Sequence, residues 1–209
     1  MHDVLRPSSS IKGLIFDLDG TLADTMPIHM EAWKRTGDEF DVTITEKMII
    51  DRAGTPTVQV IEQLNDLFGW GIDPFVFRKA KNRNYQSVKE SWGPIRPIHH
   101  VMEIANTYRS KLPMSIGTGS IRRNAEMALR DLGVSVWFSP VITAEDVLNH
   151  KPHPDTFLKC SSLMGIKPGE CLVYEDGLMG IKAAVNAGMS AINIQTMEIF
   201  SPTSELSNL

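Results

Sequence analysis

Apolar positions along this chain follow two rhythms, one of short uninterrupted runs and one of helical repeats. Leu14-Ile15-Phe16 has nothing polar in it, which predicts a buried strand. Pro27 can open a helix that carries Ile28, Ala32 and Trp33 on one side. Thr45 is a candidate N-cap for a short helix through Ile50. From Thr57 a helix follows, with Val58, Ile61, Leu64 and Phe68 at helical spacing until Gly69 and Gly71 break it. Asp73-Pro74 then opens a longer helix to about Trp92, in the manner of a cap followed by a proline at the first helical position. Helix follows helix from Pro27 to Trp92 without a clear strand, so this stretch predicts one inserted helical unit.

Pro94 and Pro97 mark the return to the other rhythm. Residues 98–110 read as helix, 114–117 as strand, and 121–132 as an amphipathic helix ended by Gly133. Val141-Ile142 predicts a short strand, 154–164 a helix, and 171–174 another strand. Gly177 to Ala187 predicts a helix closed by Gly188, and Ala191 to Ile194 a final strand. Strands alternating with helices predict an α/β fold, a Rossmann-like parallel sheet with helices on both faces. Residues 1–10, ending in Ser8-Ser9-Ser10, read as a loose leader, and the serine-rich C-terminus as a loose tail.

A chain of 209 residues, 42% hydrophobic and 22% charged, can bury a substantial core. A net charge of -4 gives no basic footprint for nucleic acid. No apolar run is long enough to span a bilayer, and the N-terminus lacks the apolar segment of a signal peptide. A cytoplasmic protein with no membrane partner is expected. Cys160 and Cys171, both beside apolar residues, are expected to be buried free thiols.

The chemistry gathers where predicted strands end. The first apolar run stops at Asp17, Asp19 follows two residues later, and Gly20-Thr21 supplies a turn signal. Asp17 and Asp19 share one side if strand geometry continues. Two carboxylates there are costly unless a cation, hydrogen bonds or chemistry compensates; a merely polar strand exit is the alternative. Thr118-Gly119 in SIGTGS and Glu175-Asp176 in LVYEDGLMG follow two further strands, and Lys151 in HKPHPD leads into a helix. In parallel α/β sheets ligands bind at this edge. Together these residues describe phosphoryl transfer, because a carboxylate cannot attack an anionic phosphate until its charge is neutralised. Glu175 and Asp176 offer the hard oxygens that suit Mg²⁺, and Lys151 a point cation. Thr118 offers a hydroxyl donor, and Gly119 a backbone N–H that can approach closely.

DxDGT, GTGS, HKPHPDTFLKC and MGIKPGECLVYEDGLMGIKAA, in this order, resemble the motifs of the haloacid dehalogenase superfamily over nearly the whole chain. Within it they look like the β-phosphoglucomutase-like subgroup and its fructose-1-phosphate phosphatase branch. The resemblance implies a Rossmann-like catalytic core, residues 1–25 and 94–209, and a small helical cap, residues 26–93. It implies that Asp17 is the nucleophile that becomes an aspartyl phosphate. Asp19 would protonate the leaving oxygen and then activate water. Its backbone carbonyl would join Asp17, Glu175 and Asp176 around Mg²⁺, while Thr118 and Lys151 complete the catalytic set. A carboxylate at Asp19 favours P–O chemistry over dehalogenation, which needs no acid there.

In the cap, His29 matches a hinge or acid/base-controlling histidine, with a solvated helix histidine as the alternative. Gly54, in Gly54-Thr55-Pro56, matches the specificity loop. Lys81 matches a cap lysine that reaches the substrate, with a surface lysine as the alternative. His150 and His153 flank Lys151, but a zinc site would need further soft or imidazole ligands. Related mutases carry an arginine near the position of Thr57 to grip a second phosphate, and its loss points to simple hydrolysis. The expectation is a monomeric Mg²⁺-dependent phosphatase of a small phosphorylated sugar. A sugar phosphomutase and a non-catalytic binding protein are the alternatives.

Overall fold

The computed structural model describes residues 3–52 and 55–203. Its centre is one six-stranded sheet, built from β1 (Gly13–Phe16), β2 (Met114–Gly117), β3 (Val141–Ile142), β4 (Cys171–Glu175), β5 (Ser190–Asn193) and β6 (Ile199–Phe200). The order across the sheet is β3-β2-β1-β4-β5-β6. All neighbours run parallel except β5 and β6. The first apolar run is therefore one of the two central strands, with Phe16 opposite Ile116 on one side and Tyr174 on the other.

Both faces of the sheet are covered, which is why its inner strands are mostly apolar on both sides instead of alternating. Leu14, Phe16, Ile116, Leu172 and Tyr174 point to one face, against α5 (His99–Tyr108) and α6 (Arg122–Asp131). Ile15, Val173 and Ala191 point to the other, against α7 (Asp155–Met164) and α8 (Leu178–Asn186). This is the strand period of two expressed as two cores.

Helices α1 (Met26–Glu39), α2 (Glu46–Ile50), α3 (Thr57–Phe68) and α4 (Pro74–Trp92) enclose a third cluster built on Trp33, Ile61, Leu64 and Phe77. Asp73 caps α4 by accepting bonds from the Phe75 and Val76 amides at 2.8 and 3.1 Å, with Pro74 beginning the helix. Gly69 ends α3 in the left-handed region at φ 68°. The two longest helices of this unit, α1 and α4, also root it in the sheet: Ile28, Ala32, Tyr85 and Val88 pack into the first-face cluster.

Three expectations require correction. The leader is not loose where it is described: Asp3–Leu5 form a 3₁₀ turn, and the fully buried Leu5 accepts a 2.6 Å bond from the Tyr174 hydroxyl. One apolar anchor was enough to override its polar surroundings. The strand over 190–193 is not the last, because Ile199–Phe200 return antiparallel beside it. In α3 the buried face is Val60, Ile61 and Leu64, at i, i+1 and i+4, while Phe68 is exposed and stacks on Trp70 at 5.2 Å. Gly54, expected in the specificity loop, and most of the serine-rich tail lie outside the described residues. Among the described residues no helix is long and apolar enough to cross a membrane.

Candidate active site

The carboxyl ends of β1, β2 and β4 open into one cavity of about 620 Å³, roofed by α1, α3 and α4. Asp17 and Asp19 enter it from the turn after β1, Thr118 and Gly119 from the turn after β2, and Glu175 and Asp176 from the end of β4. The β1 turn is held by Leu18, whose carbonyl accepts from the Leu22 and Ala23 amides at 3.0 and 2.8 Å. The Asp17 amide donates to the Tyr174 carbonyl at 2.9 Å, tying the two acidic strand ends together.

Lys151 is the hub of the floor. Its ammonium lies 2.6 Å from Asp17 Oδ1 and 2.8 Å from Glu175 Oε1, with only 3% of its side chain exposed. Burial opposes its charge, but Asp17 and Glu175 more than compensate and hold it protonated, above the usual lysine range. The carboxylates fare differently. Burial raises Asp17 well above its ordinary value despite Lys151, and neighbouring Glu175, Asp176 and Asp19 push the same way. Asp176 is pushed up to about 7 by burial and by Glu175. One ammonium thus serves a cluster that holds more negative charge than it can neutralise.

That imbalance, with the chemistry of the donors, is what a hard divalent cation corrects. Asp17, Glu175 and Asp176 each bring a carboxylate oxygen within 4.8 Å of the others, and all-oxygen sets suit Mg²⁺ or Ca²⁺. Two glycines make room for the set. A Cβ on Gly180 would sit 1.7 Å from Glu175 Oε1, and one on Gly20, at φ 85°, 2.4 Å from Asp176 Oδ2. Thr21 fixes Asp176 by donating to Oδ1 at 2.9 Å.

Asp19 is held by a separate network. Thr25 donates to Oδ1 at 2.7 Å, and Ser120 and Thr118 to Oδ2 at 2.6 and 3.2 Å. His29 Nε2 lies 3.3 Å from Oδ1, and its Nδ1 lies 3.0 Å from Lys81 Nζ. Burial acts to raise the Asp19 pKa, but His29, Ser120 and Thr25 together hold it far below the usual carboxylate range. An ammonium has only donors, so Nδ1 of His29 accepts from Lys81 and the ring proton sits on Nε2, facing Asp19. Burial and the charge of Lys81 lower the His29 pKa, which keeps this ring neutral near pH 7. Burial also brings Lys81 down to about 8.

The structure therefore brings together Asp17, Asp19, His29, Lys81, Thr118, Gly119, Lys151, Glu175 and Asp176 around one cavity. The surface reading of Lys81 fails, since the residue is 6% exposed, and so does the solvated reading of His29. Sequence reasoning missed Ser120 and Thr25, although each is a hydroxyl a few residues from a candidate. It also missed the basic side chains above the floor. Thr57 does line the cavity as an uncharged residue, but Arg52, Arg78 and Lys79 line it too. The lost arginine does not leave the roof without cations.

A mostly parallel α/β core with carboxylates at its strand ends and a buried lysine among them, under a helical roof, defines a class of hydrolases. The family model of haloacid dehalogenase-like hydrolases matches residues 14–194, and the chain belongs to that family. It is 34% identical to fructose-1-phosphate phosphatase YqaB of Escherichia coli, over 88% of this chain and 97% of that protein. It is 27% identical to β-phosphoglucomutase of Bacillus subtilis, over 88% of this chain and 83% of the relative. Among solved structures it resembles a β-phosphoglucomutase from Clostridium difficile, with a TM-score of 0.77 and 23% identity over 87% of this chain and 83% of that one. These likenesses place it in the phosphoglucomutase-like subgroup.

Proposed function

We propose that this phosphoric monoester hydrolase removes phosphate from a small phosphorylated sugar by way of an aspartyl phosphate, with Mg²⁺ as cofactor. The observation that carries the reading is the unlike treatment of two carboxylates two residues apart. Asp17 sits against Lys151 inside the acidic cluster. Asp19 is held outside that cluster by hydroxyls and an imidazole. Paired carboxylates in different environments are the mark of divided roles. The similarity to a fructose-1-phosphate phosphatase supports the sugar phosphate as substrate class.

Asp17, Glu175 and Asp176 would hold the cation, with the Asp19 backbone carbonyl as a further oxygen. When bound it would supply charge neutralisation at the phosphate oxygens and the attacking carboxylate. Lys151 does the same from the protein side, as a buried ammonium already in contact with Asp17. An Asp17 oxygen attacks phosphorus as the bond from phosphorus to the sugar oxygen breaks. Asp19 gives that oxygen its proton. In the free protein Asp19 is ionised, so the proton arrives with the monoanionic form of the ester, whose second pKa is about 6. Asp19, again a carboxylate, then takes a proton from water while the water oxygen attacks phosphorus, releasing inorganic phosphate and restoring Asp17. Acid–base help of this kind is worth roughly 10²–10⁴-fold. Thr118 and Gly119 would hold the phosphate, His29 would set the state of Asp19, and Lys81 would steady His29 and meet the sugar phosphate from the roof.

We further propose that residues 26–93 act as a cap over a core of residues 1–25 and 94–209. Such a cap excludes water and reads the sugar, and Gly54 would belong to its reading loop. Cys160 and Cys171, buried and unbridged with their thiols pushed up to about 12 and about 11 by burial, suit a reducing cytoplasm.

The test is release of inorganic phosphate from a panel of sugar phosphates, with and without Mg²⁺. Release from at least one sugar phosphate, lost with chelator and restored by Mg²⁺, is expected. Arg52, Arg78 and Lys79 on the roof favour a second reading, a phosphomutase that grips both ends of a bisphosphate. Turnover that requires an added sugar bisphosphate, without net phosphate release, would select it.

A further inference from the structure

One hydrogen bond joins the roof to the wall of the cavity away from the acidic cluster and the Asp19 network. Gln86 of α4 donates from Nε2 to Asn124 Oδ1, in the first turn of α6, at 2.7 Å. Gln86 is half-buried, whereas Asn124 is 4% exposed and lines the cavity beside Ser120 and Ile121. A carboxamide has an acceptor end and a donor end. With Oδ1 taken by Gln86, the two N–H bonds of Asn124 Nδ2 are the part left for a ligand. They meet no acceptor among the described residues.

The position of Gln86 explains why this contact can matter. On α4, Lys81, Asn82, Tyr85, Gln86 and Lys89 fall at i, i+1, i+4, i+5 and i+8, which is one face of a helix. Lys81 meets His29, and Tyr85 packs on the His29 ring at 4.5 Å. Lys89 pairs with Asp131 at the end of α6 at 3.0 Å, and Asp131 also accepts from the Ile95 amide. The face is anchored at both ends, so Gln86 is held in register over Asn124. Because the pair is uncharged, it suits a neutral acceptor instead of the phosphate.

We propose that Asn124 is a specificity-determining residue whose amide nitrogen donates to a hydroxyl oxygen of the phosphorylated sugar, and that Gln86 is the positioning residue that points this donor end at the cavity. The inference rests on the sugar-phosphate reading above. Selectivity then comes partly from the core wall, under control of a roof residue that itself touches no substrate.

Gln86→Glu gives the decisive test. A carboxylate at position 86 can only accept, so Asn124 must turn its nitrogen toward it and offer Oδ1 to the cavity, and the donor becomes an acceptor. Gln86→Leu removes the orienting bond without reversing it. The readout is the ratio of kcat/KM for the best sugar phosphate to that for an aryl phosphate lacking hydroxyls, measured for the whole purified chain. A fall of roughly 10–100-fold is expected for Gln86→Glu, because a polar group is left facing the wrong end of the amide. Roughly 3-fold is expected for Gln86→Leu, where the amide can still rotate into place. In an Asn124→Ala background, Gln86→Glu should change the ratio no further. Equal ratios for the Glu and Leu variants, or a full effect of Gln86→Glu without Asn124, would overturn the inference while leaving the sugar reading intact. A wild-type enzyme that cleaves the aryl phosphate and no sugar phosphate would overturn both.

Discussion

The floor of the cavity and its roof are built in opposite ways. The floor is set by strand ends: Asp17, Thr118 and Glu175 stand at or just beyond the last residues of three neighbouring strands. The roof is set by one face of α4, whose Lys81 and Gln86 reach their partners across 52 and 38 residues of chain. The floor binds charge to charge inside a buried cluster, whereas the roof adds single hydrogen-bonding groups, the Lys81 ammonium on the His29 imidazole and the Gln86 amide on Asn124 of the wall. A buried ionic floor suits a reaction common to many substrates. A roof that offers hydrogen-bonding groups singly suits discrimination among them, since a hydrogen bond mismatch penalises the wrong ligand more than it rewards the right one.

The contrast breaks if floor and roof mutations behave alike. The largest effect is expected for Asp17→Asn, which keeps the shape and removes the charge of the proposed nucleophile. kcat should fall by roughly 10⁵–10⁶-fold for every substrate, as when other enzymes lose their nucleophile. Circular dichroism of the variant should match the wild type; activity of the pure variant above about 1% of wild type would rule out the covalent route. Next comes Asp176→Ala, which removes one of three clustered carboxylates. Mg²⁺ affinity, read by calorimetric titration, should weaken by more than the roughly 10–100-fold that loss of a supporting residue costs. A wild-type titration would remove Asp176 from the metal set.

Lys81→Ala should sharpen the comparison at the other wall. KM for a sugar phosphate should rise roughly 10-fold, the worth of a charged hydrogen bond, with a smaller rise for a small aryl phosphate. Equal rises would make the roof a lid that selects nothing. The smallest effect is in pH. With Lys81 brought down to about 8, its charge is present below that pH and lost above it. KM for the sugar phosphate should therefore climb as pH passes about 8, and Lys81→Ala should abolish the climb. Stability has the opposite sense. The unfolded chain holds this proton up to the ordinary 10.5, so between the two values the unfolded state binds more protons and stability rises with pH. Chemical denaturation of wild type and Lys81→Ala at pH 7 and pH 10 would show it as a gap between the two proteins that changes with pH.

The same division governs what could be read from the chain. The floor was legible because its signal is local: Leu14-Ile15-Phe16 ends in a carboxylate, and 171–174 ends in two more. A parallel sheet gathers such ends at one edge. Helix α4 gave no comparable signal. Its apolar residues are sparse among Arg78, Lys79, Lys81 and Arg83, and nothing local separates the buried lysine from the exposed ones. Lys81 is buried because Trp33, Tyr85 and His29 surround its stem and ammonium, which is a tertiary fact. Arg52 escaped notice for the same reason, since the helix packing that brings it to the cavity leaves no trace in spacing. Leu5 was missed because one anchoring side chain is not a pattern.

The outermost strands of the sheet, Val141–Ile142 and Ile199–Phe200, have two residues each. A sheet boundary exposes unpaired amides and carbonyls that can template the addition of a foreign strand, and very short boundary strands are one way of denying that template. The apolar strands β1 and β4 are enclosed between neighbours. Self-association through the backbone thus finds only a two-residue template at either side of the sheet. Lengthening either boundary strand with alternating valine and threonine would reopen that route, visible as a rise in thioflavin fluorescence.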